Sequence, residues 1–371
     1  MTGAGTERVD NGRRPAGPPA PRVSERELNR TLLQRQHLLS RVDVDPLDEI
    51  AHLVGLQAQE TLPPYLSLFA RLTAFSPASL SDAIGDGRVI RLLLMRGTIH
   101  AVSPLDAVTL RPLVNLMLDR ASRTITNTKP SARVPTDELL AAGVLVFQGG
   151  PMGLEAAGNA LAQRFPDFPA KSLANSLRYR MALVQVPPRG MWGRSGGVVY
   201  DTLENITGGS TPSASPDPRP IIRRYLAAFG PASAADFRTW SGVSGVASAI
   251  ASMDDELVHY TDEHGRPLVD LPDLPIADAD TPAPPRLFGR YDNVWLSHAD
   301  RDRVTTPEAR KLWAGTNGGV ANTVFVDGHL AGLWRRAPSG AIDMDLFRRV
   351  SRAEKRELDA EVSAVQEFLA Q

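Results

Sequence analysis

The chain has 371 residues, 41 basic against 42 acidic, and no cysteine. That length exceeds what one simple core fills and predicts about two to four structural units. Without thiols, disulfides and thiolate metal sites are excluded, a composition that fits a reducing, cytoplasmic setting. A net charge of −1 carries no bulk sign of nucleic acid.

Residues 1–24 are rich in Gly, Pro and Arg and lack an apolar stretch, so they read as a disordered tail, neither signal peptide nor anchor. No apolar run is long enough to span a bilayer, and no membrane partner is expected. Residues 25–130 read as helices over 25–39, 47–56, 64–72 and 80–85, followed by strands over 90–95 and 98–102. Residues 131–215 repeat the plan, with helices over 137–147, 154–165 and 170–181 and strands over 183–186 and 197–200. Residues 216–275 show it most clearly. There Ile222, Leu226 and Phe229 lie at helical spacing, Gly230-Pro231 stops the helix, and a second helix opens at 233–236 and runs through Trp240. A third covers 244–253. Strands over 257–260 and 267–271 then flank Glu263-His264-Gly265-Arg266, a sequence suited to a hairpin turn.

Helix, helix, helix, hairpin is the order of a winged helix, so the expected fold is α+β, with three tandem winged helix-turn-helix modules. A Pro-rich linker over 271–285 leads into a β-rich region, 276–371. Its strands are expected over 293–297, 319–326 and 330–334. A strand or short helix and then a charged helix cover 344–369.

Charge is unevenly spread. Acidic residues gather at Asp254, Asp255, Glu256, Asp262, Glu263, Asp270, Asp273, Asp278 and Asp280, while Arg164, Lys171, Arg178, Arg180, Arg189 and Arg194 form a basic stretch. A neutral protein can still present a basic groove, because phosphate attraction is local on the scale of the Debye length. Nearly all the cations are Arg, which suits phosphate contacts and equally reflects a GC-rich coding sequence.

Common active sites are missing: no Walker loop, no dinucleotide-binding glycine motif, no H-E-x-x-H and no G-x-S-x-G. The seven histidines have no metal-ligand spacing, so neither metal nor cofactor is expected. Gly193-Arg194-Ser195-Gly196-Gly197 is glycine-rich but falls inside a predicted hairpin rather than before a helix. What remains is Leu56-Gln57-Ala58-Gln59-Glu60. On a regular helix, residues two apart point about 200° apart. On a strand or an irregular helix end they share a side. Two solvent-facing glutamines at a fraying helix end, or two amides facing one site, both fit these residues.

Leu56–Glu60 together with Met95-Arg96-Gly97-Thr98-Ile99-His100, Pro188-Arg189-Gly190-Met191-Trp192-Gly193 and Tyr291-Asp292-Asn293-Val294-Trp295-Leu296-Ser297-His298-Ala299-Asp300-Arg301 resembles the bacterial AlkZ-type (YcaQ-like) winged-helix DNA glycosylases. The likeness extends from about residue 28 to 335. It implies three winged helices forming a concave basic surface for duplex DNA, joined to a C-terminal small β-barrel-like domain. The catalytic motif of that family, Gln, an apolar residue, then Gln or Asp, maps onto Gln57, Ala58 and Gln59. The resemblance also implies a monofunctional enzyme acting as a monomer on duplex DNA with alkylated bases, and a bond break in which a cationic N7-type purine leaves without protonation. The two-glutamine form is similar to self-resistance enzymes that remove bulky natural-product adducts or unhook interstrand crosslinks.

DNA contacts are expected from Arg189, Trp192 and Arg194 at the second hairpin, from Arg96 and His100, and from His298 and Arg301. For each, a plain structural role fits the residue type as well. A non-catalytic winged-helix regulator and a drug-sequestering protein are the rival functions, and only a glycosylase leaves an abasic product.

Overall fold

The computed structural model describes residues 20–209, 216–314 and 321–371. Most of the tail expected over 1–24, and the start of the strand expected over 319–326, lie outside the described residues.

The first stretch contains α1 (Glu25–Arg35), α2 (Pro46–His52), β1 (Leu56–Gln57), α3 (Pro63–Arg71), α4 (Pro77–Gly85), β2 (Ile90–Leu93), β3 (Ile99–Val102) and α5 (Pro104–Thr124). Local chemistry sets several starts. Ser24 and Glu27 form a reciprocal capping box on α1, and Asp45, Ser76 and Ser103 cap α2, α4 and α5, each followed by Pro. The second stretch contains α6 (Thr136–Phe147), β4 (Met152–Gly153), α7 (Leu154–Arg164), α8 (Ala170–Arg180), β5 (Leu183–Gln185), β6 (Val199–Thr202) and α9 (Leu203–Thr207). The third runs α10 (Arg219–Phe229), α11 (Ala234–Ser241), α12 (Val246–Ala251), β7 (Val258–Thr261) and β8 (Pro267–Asp270). The last contains β9 (Arg286–Phe288), α13 (Asn293–Leu296), α14 (Pro307–Ala314), β10 (Asn322–Val326), β11 (His329–Arg336), β12 (Ile342–Leu346) and α15 (Arg352–Leu369).

The first two hairpins do not stand apart. β2 pairs with β5 through Arg91 opposite Gln185 and Leu92 opposite Val184, producing a six-stranded antiparallel sheet ordered β1-β3-β2-β5-β6-β4. The third hairpin, β7–β8, is a separate two-stranded ribbon. One apolar core joins the first stretch, the third stretch and the C-terminal region, with Leu92, Trp240, Trp295 and Phe368 among its members. The second stretch keeps a core of its own around Leu139, Leu161, Leu173 and Tyr200.

Five expectations change. The helix expected over 47–56 stops at His52, because Val54 and Gly55 turn into positive φ (53° and 96°) and release the chain into β1. A Cβ on Gly55 would also meet Val102 Cγ1 at 2.5 Å, so that turn requires glycine. The 21-residue α5 is an addition to the expected elements. Residues 293–296 form a short helix rather than a strand, because the Asp292 side chain accepts the Val294 N–H and caps it. In place of a barrel, the C-terminal strands form an open antiparallel sheet ordered β12-β11-β10-β9. Within the expected tail, Val23 is buried and its N–H donates to Thr261 O at 2.8 Å, beside β7.

Candidate active site

β1 is only two residues long, and it sets the site. Gln57 lies opposite His100 on β3, and Ala58 N–H donates to Ile99 O at 2.7 Å as the strand ends. Strand alternation returns Gln59 to the side of Gln57. There its Oε1 accepts the Ile99 N–H at 3.1 Å, taking the place of a further ladder carbonyl. Gln57 is 6% exposed and its Oε1 accepts from Arg96 Nη2 at 3.0 Å, whereas Gln59 is exposed. Both donors are N–H groups with no acceptor capacity, so both amides turn their oxygens inward and their NH2 groups away. Each carbonyl retains one free lone pair.

Arg96 has a left-handed backbone (φ 55°), a conformation that costs a non-glycine residue on the order of 1–3 kcal/mol. Its guanidinium reaches across to the third stretch, where Nη1 donates to Trp240 O. Gly242, two residues later, has φ 78°, and a Cβ there would meet Arg96 N at 3.5 Å and Met117 Cε at 3.2 Å, so a side chain would crowd the same turn. His100 Nδ1 donates to Thr98 O at 3.0 Å, which leaves Nε2 as the bare nitrogen facing Arg96 at 3.5 Å. Burial, reinforced by Arg96, pushes His100 down to about 3, so it is neutral at physiological pH. Burial, with Arg301 adding to it, lowers Arg96 to about 10, and its charge persists. Glu60, the carboxylate nearest in sequence, is paired outward with Arg290 at 3.1 Å.

Gln57, Gln59, Arg96 and His100 are therefore brought together, with Arg301 close enough to Arg96 to influence it. Arg301 donates through Nε to Trp295 O at 2.8 Å and lies over the Trp313 ring. The other expected residues lie elsewhere. His298 is 3% exposed, packed beside Tyr225, and held near 3 by burial and Arg303. Trp192 is no free wedge: its ring contacts Tyr65 (4.9 Å) and Phe368 (5.3 Å), and Ser81 Oγ accepts its backbone N–H at 3.1 Å. Arg189 lies near Arg91, on the sheet face opposite Gln57, while Arg194 is exposed. A cleft of about 470 Å³ begins at Thr61, two residues past Gln59, and continues to Trp192, Arg194 and Arg336.

A sequence model described as DNA glycosylase AlkZ-like matches residues 50–368, most of the chain. The chain belongs to the AlkZ-like DNA glycosylase family. A curated relative from Streptomyces sahachiroi, an interstrand DNA cross-link repair glycosylase, is 25% identical over 335 residues, 84% of this chain and 88% of that protein. The solved structure of the Streptomyces sahachiroi DNA glycosylase AlkZ shares the fold, with a TM-score of 0.80 and 23% identity, covering 94% of this chain and 97% of that one.

Several residues that shape this glycosylase's site carry no local signal in the sequence. Asn293 Nδ2 donates to Gly55 O at 3.0 Å and so holds the turn that launches β1. Its neighbour Asp292 forms a buried two-point ion pair with Arg71 (2.8 and 2.9 Å), fixing α13 to α3. Buried Arg71 needs such a partner, since an unpaired buried charge is very costly. The available clue is the polar Tyr291-Asp292-Asn293 run before an apolar stretch, and it names no partner.

Proposed function

We propose that this glycosylase hydrolyses the N-glycosidic bond of purines alkylated to the cation at an N7-type position in duplex DNA, with Gln57 and Gln59 placing the attacking water. The observation that carries the reading is that, among the described residues, no proton-donating acid is bonded to the two amides. Their partners are Arg96, the Ile99 N–H and, through Arg96, a neutral His100. Sugar hydrolases acting on neutral leaving groups use a carboxylic acid to protonate them. A cationic base leaves as a neutral purine and needs no such acid. Amides suffice to hold a water and to order the site around a positively charged sugar.

Bulky adducts and interstrand crosslinks from a genotoxic natural product belong to the proposed range, as a self-resistance activity. The relative's name supports that extension. A crosslinked nucleotide cannot swing fully out of the duplex, so a site on an edge strand of the sheet, where β1 lies, suits it better than a deep base-flipping pocket. The three helix-and-hairpin stretches are proposed to act as winged helices on one monomer, with Arg189 and Arg194 of the second hairpin loop and Arg301 contacting phosphate.

The test is a glycosylase assay on duplex DNA carrying N7-methylguanine, with alkali to reveal abasic sites, comparing wild type with the Gln57→Ala, Gln59→Ala double variant. Abasic product from wild type, lost in the variant, is expected, and uracil and 8-oxoguanine remain uncut. Comparable excision of those neutral lesions overturns the reading. Intact duplex binding without product from methylated or crosslinked DNA leaves a binding protein instead.

A further inference from the structure

We infer that Arg96 is a positioning residue which fixes the polarity of the Gln57 amide, so that Gln57 meets the substrate as a hydrogen-bond donor and not through its carbonyl. The inference rests on the proposed assignment of Gln57 to the reacting centre and goes beyond it by naming which end of the amide works and what holds it there.

The geometry is over-determined. A guanidinium has five donors and no acceptor, so the Gln57 atom 3.0 Å from Nη2 must be oxygen. A flipped amide would set two donor groups against each other inside a nearly buried site. Arg96 itself is not free to yield, because Nη1 is bonded to the Trp240 carbonyl and its backbone sits in the left-handed turn between β2 and β3. His100, on the strand position opposite Gln57, offers its bare Nε2 to the same guanidinium. Among the described residues no carboxylate bonds to Arg96, so its charge is directed at a carbonyl, a Gln oxygen and an imidazole nitrogen. That charge polarises the Gln57 amide, weakening its oxygen as an acceptor and strengthening its N–H groups as donors. Gln59, whose oxygen keeps one free lone pair and whose amide is exposed, is then the acceptor for the same water. A water that accepts from Gln57 and donates to Gln59 retains a lone pair for the sugar carbon. Arg96 thereby takes a different place from the DNA-contacting one expected of it: it acts behind Gln57, not on phosphate.

The experiment uses the full chain on N7-methylguanine duplex DNA, measuring the single-turnover rate and the duplex dissociation constant separately. Gln57→Ala provides the reference loss. Gln57→Glu keeps the shape and the oxygen for Arg96 but removes the N–H donors, and is expected to lose about 100-fold, as a misplaced reacting group does. Arg96→Met is expected to fall by a similar factor in rate, with duplex affinity and its salt dependence within about threefold of wild type. The Arg96→Met, Gln57→Ala double variant is expected to be no slower than Gln57→Ala alone, since residues acting through one another do not add. Gln57→Glu at or above the wild-type rate overturns the inference. So does an Arg96→Met loss that adds to Gln57→Ala, or one that falls on affinity with a shallower salt slope. A Gln57→Ala enzyme as fast as wild type would instead remove Gln57 from the chemistry, a separate failure. Thermal unfolding of each variant guards against loss of fold, and Gln57→Glu keeps the question decidable if Arg96→Met does not fold.

Discussion

Two stretches of the chain each run three helices into a hairpin, α6–α7–α8 into β5–β6 and α10–α11–α12 into β7–β8, and they place their charges differently: the second carries basic residues in its hairpin loop, where the third carries acids before and within its own. The second carries Lys171 and Arg178 on α8 and Arg189 and Arg194 in the hairpin loop, where Arg194 and Lys171 are exposed. The third has no Lys or Arg between Arg238 and Arg266, and exposes Asp254, Asp255, Glu256 and Glu263 instead. A shared order of elements thus leaves the partner undecided. What the third stretch contributes is internal: Trp240 O to Arg96, Asp236 Oδ1 to the Ala299 N–H at 2.9 Å, and Tyr225 OH to Ser297 O at 2.6 Å. One copy of the plan is proposed to hold DNA, and the other holds the site together.

The sharpest way to break this contrast is to empty the third stretch's core. Trp240 is 2% exposed and packs on Tyr225, Phe229 and Phe237, so Trp240→Ala is expected to destabilise by about 3–5 kcal/mol in urea unfolding. A loss under about 1 kcal/mol would show that this stretch does not hold the molecule together as described.

The next effect is on acid stability. His100 and His298 are both held near 3 by burial, against an ordinary value of 6.5. The unfolded chain therefore binds more protons than the folded one between those values, so stability is complete above pH 6.5 and falls as pH drops toward 3. Each histidine contributes a slope of up to about 1.4 kcal/mol per pH unit. Unfolding midpoints across about pH 7 to 4 measure it, and a flat profile contradicts the burial of both rings.

Smaller effects concern DNA. Arg189→Ala with Arg194→Ala is expected to lower duplex affinity by about tenfold and to reduce the log–log salt slope by roughly one for each phosphate no longer neutralised, whatever the sequence. Unchanged binding would take the second hairpin loop away from the backbone. The smallest change is expected from Asp255→Asn on the third stretch, with affinity within about twofold of wild type. A tenfold gain would place the third hairpin against DNA and end the contrast.

Much of the helical order is legible in the sequence, because α10 and α8 carry apolar residues at helical spacing and α11 opens with Ser233 and Asp236 as a capping box. The pairing of Gln57 with Gln59 is visible there as an oddity, and Arg96 and His100 stand together in a motif of their own. Their assembly is not legible. β1 is a two-residue strand whose partner lies 43 positions on (100 − 57), and such pairing leaves no local periodicity. The same holds for the joining of β2 to β5. α5 escapes detection although Ser103-Pro104 announces its start, because its apolar residues are spread around the helix and Pro112 sits inside it. His298 reads as surface because polar residues usually are, and its buried neighbours Tyr225, Asp236 and Arg303 come largely from a distant stretch.

The bracket of Asn293 on Gly55 has a consequence in time. During synthesis at roughly 5–20 residues per second, residue 293 leaves the ribosome on the order of 10–50 s after residue 59. Until then the β1 turn lacks its Asn293 bond, and for most of that interval Arg96 lacks the Trp240 carbonyl as well. A nascent chain that already displays both glutamines therefore lacks these two outside supports until the two later stretches have folded back onto the first.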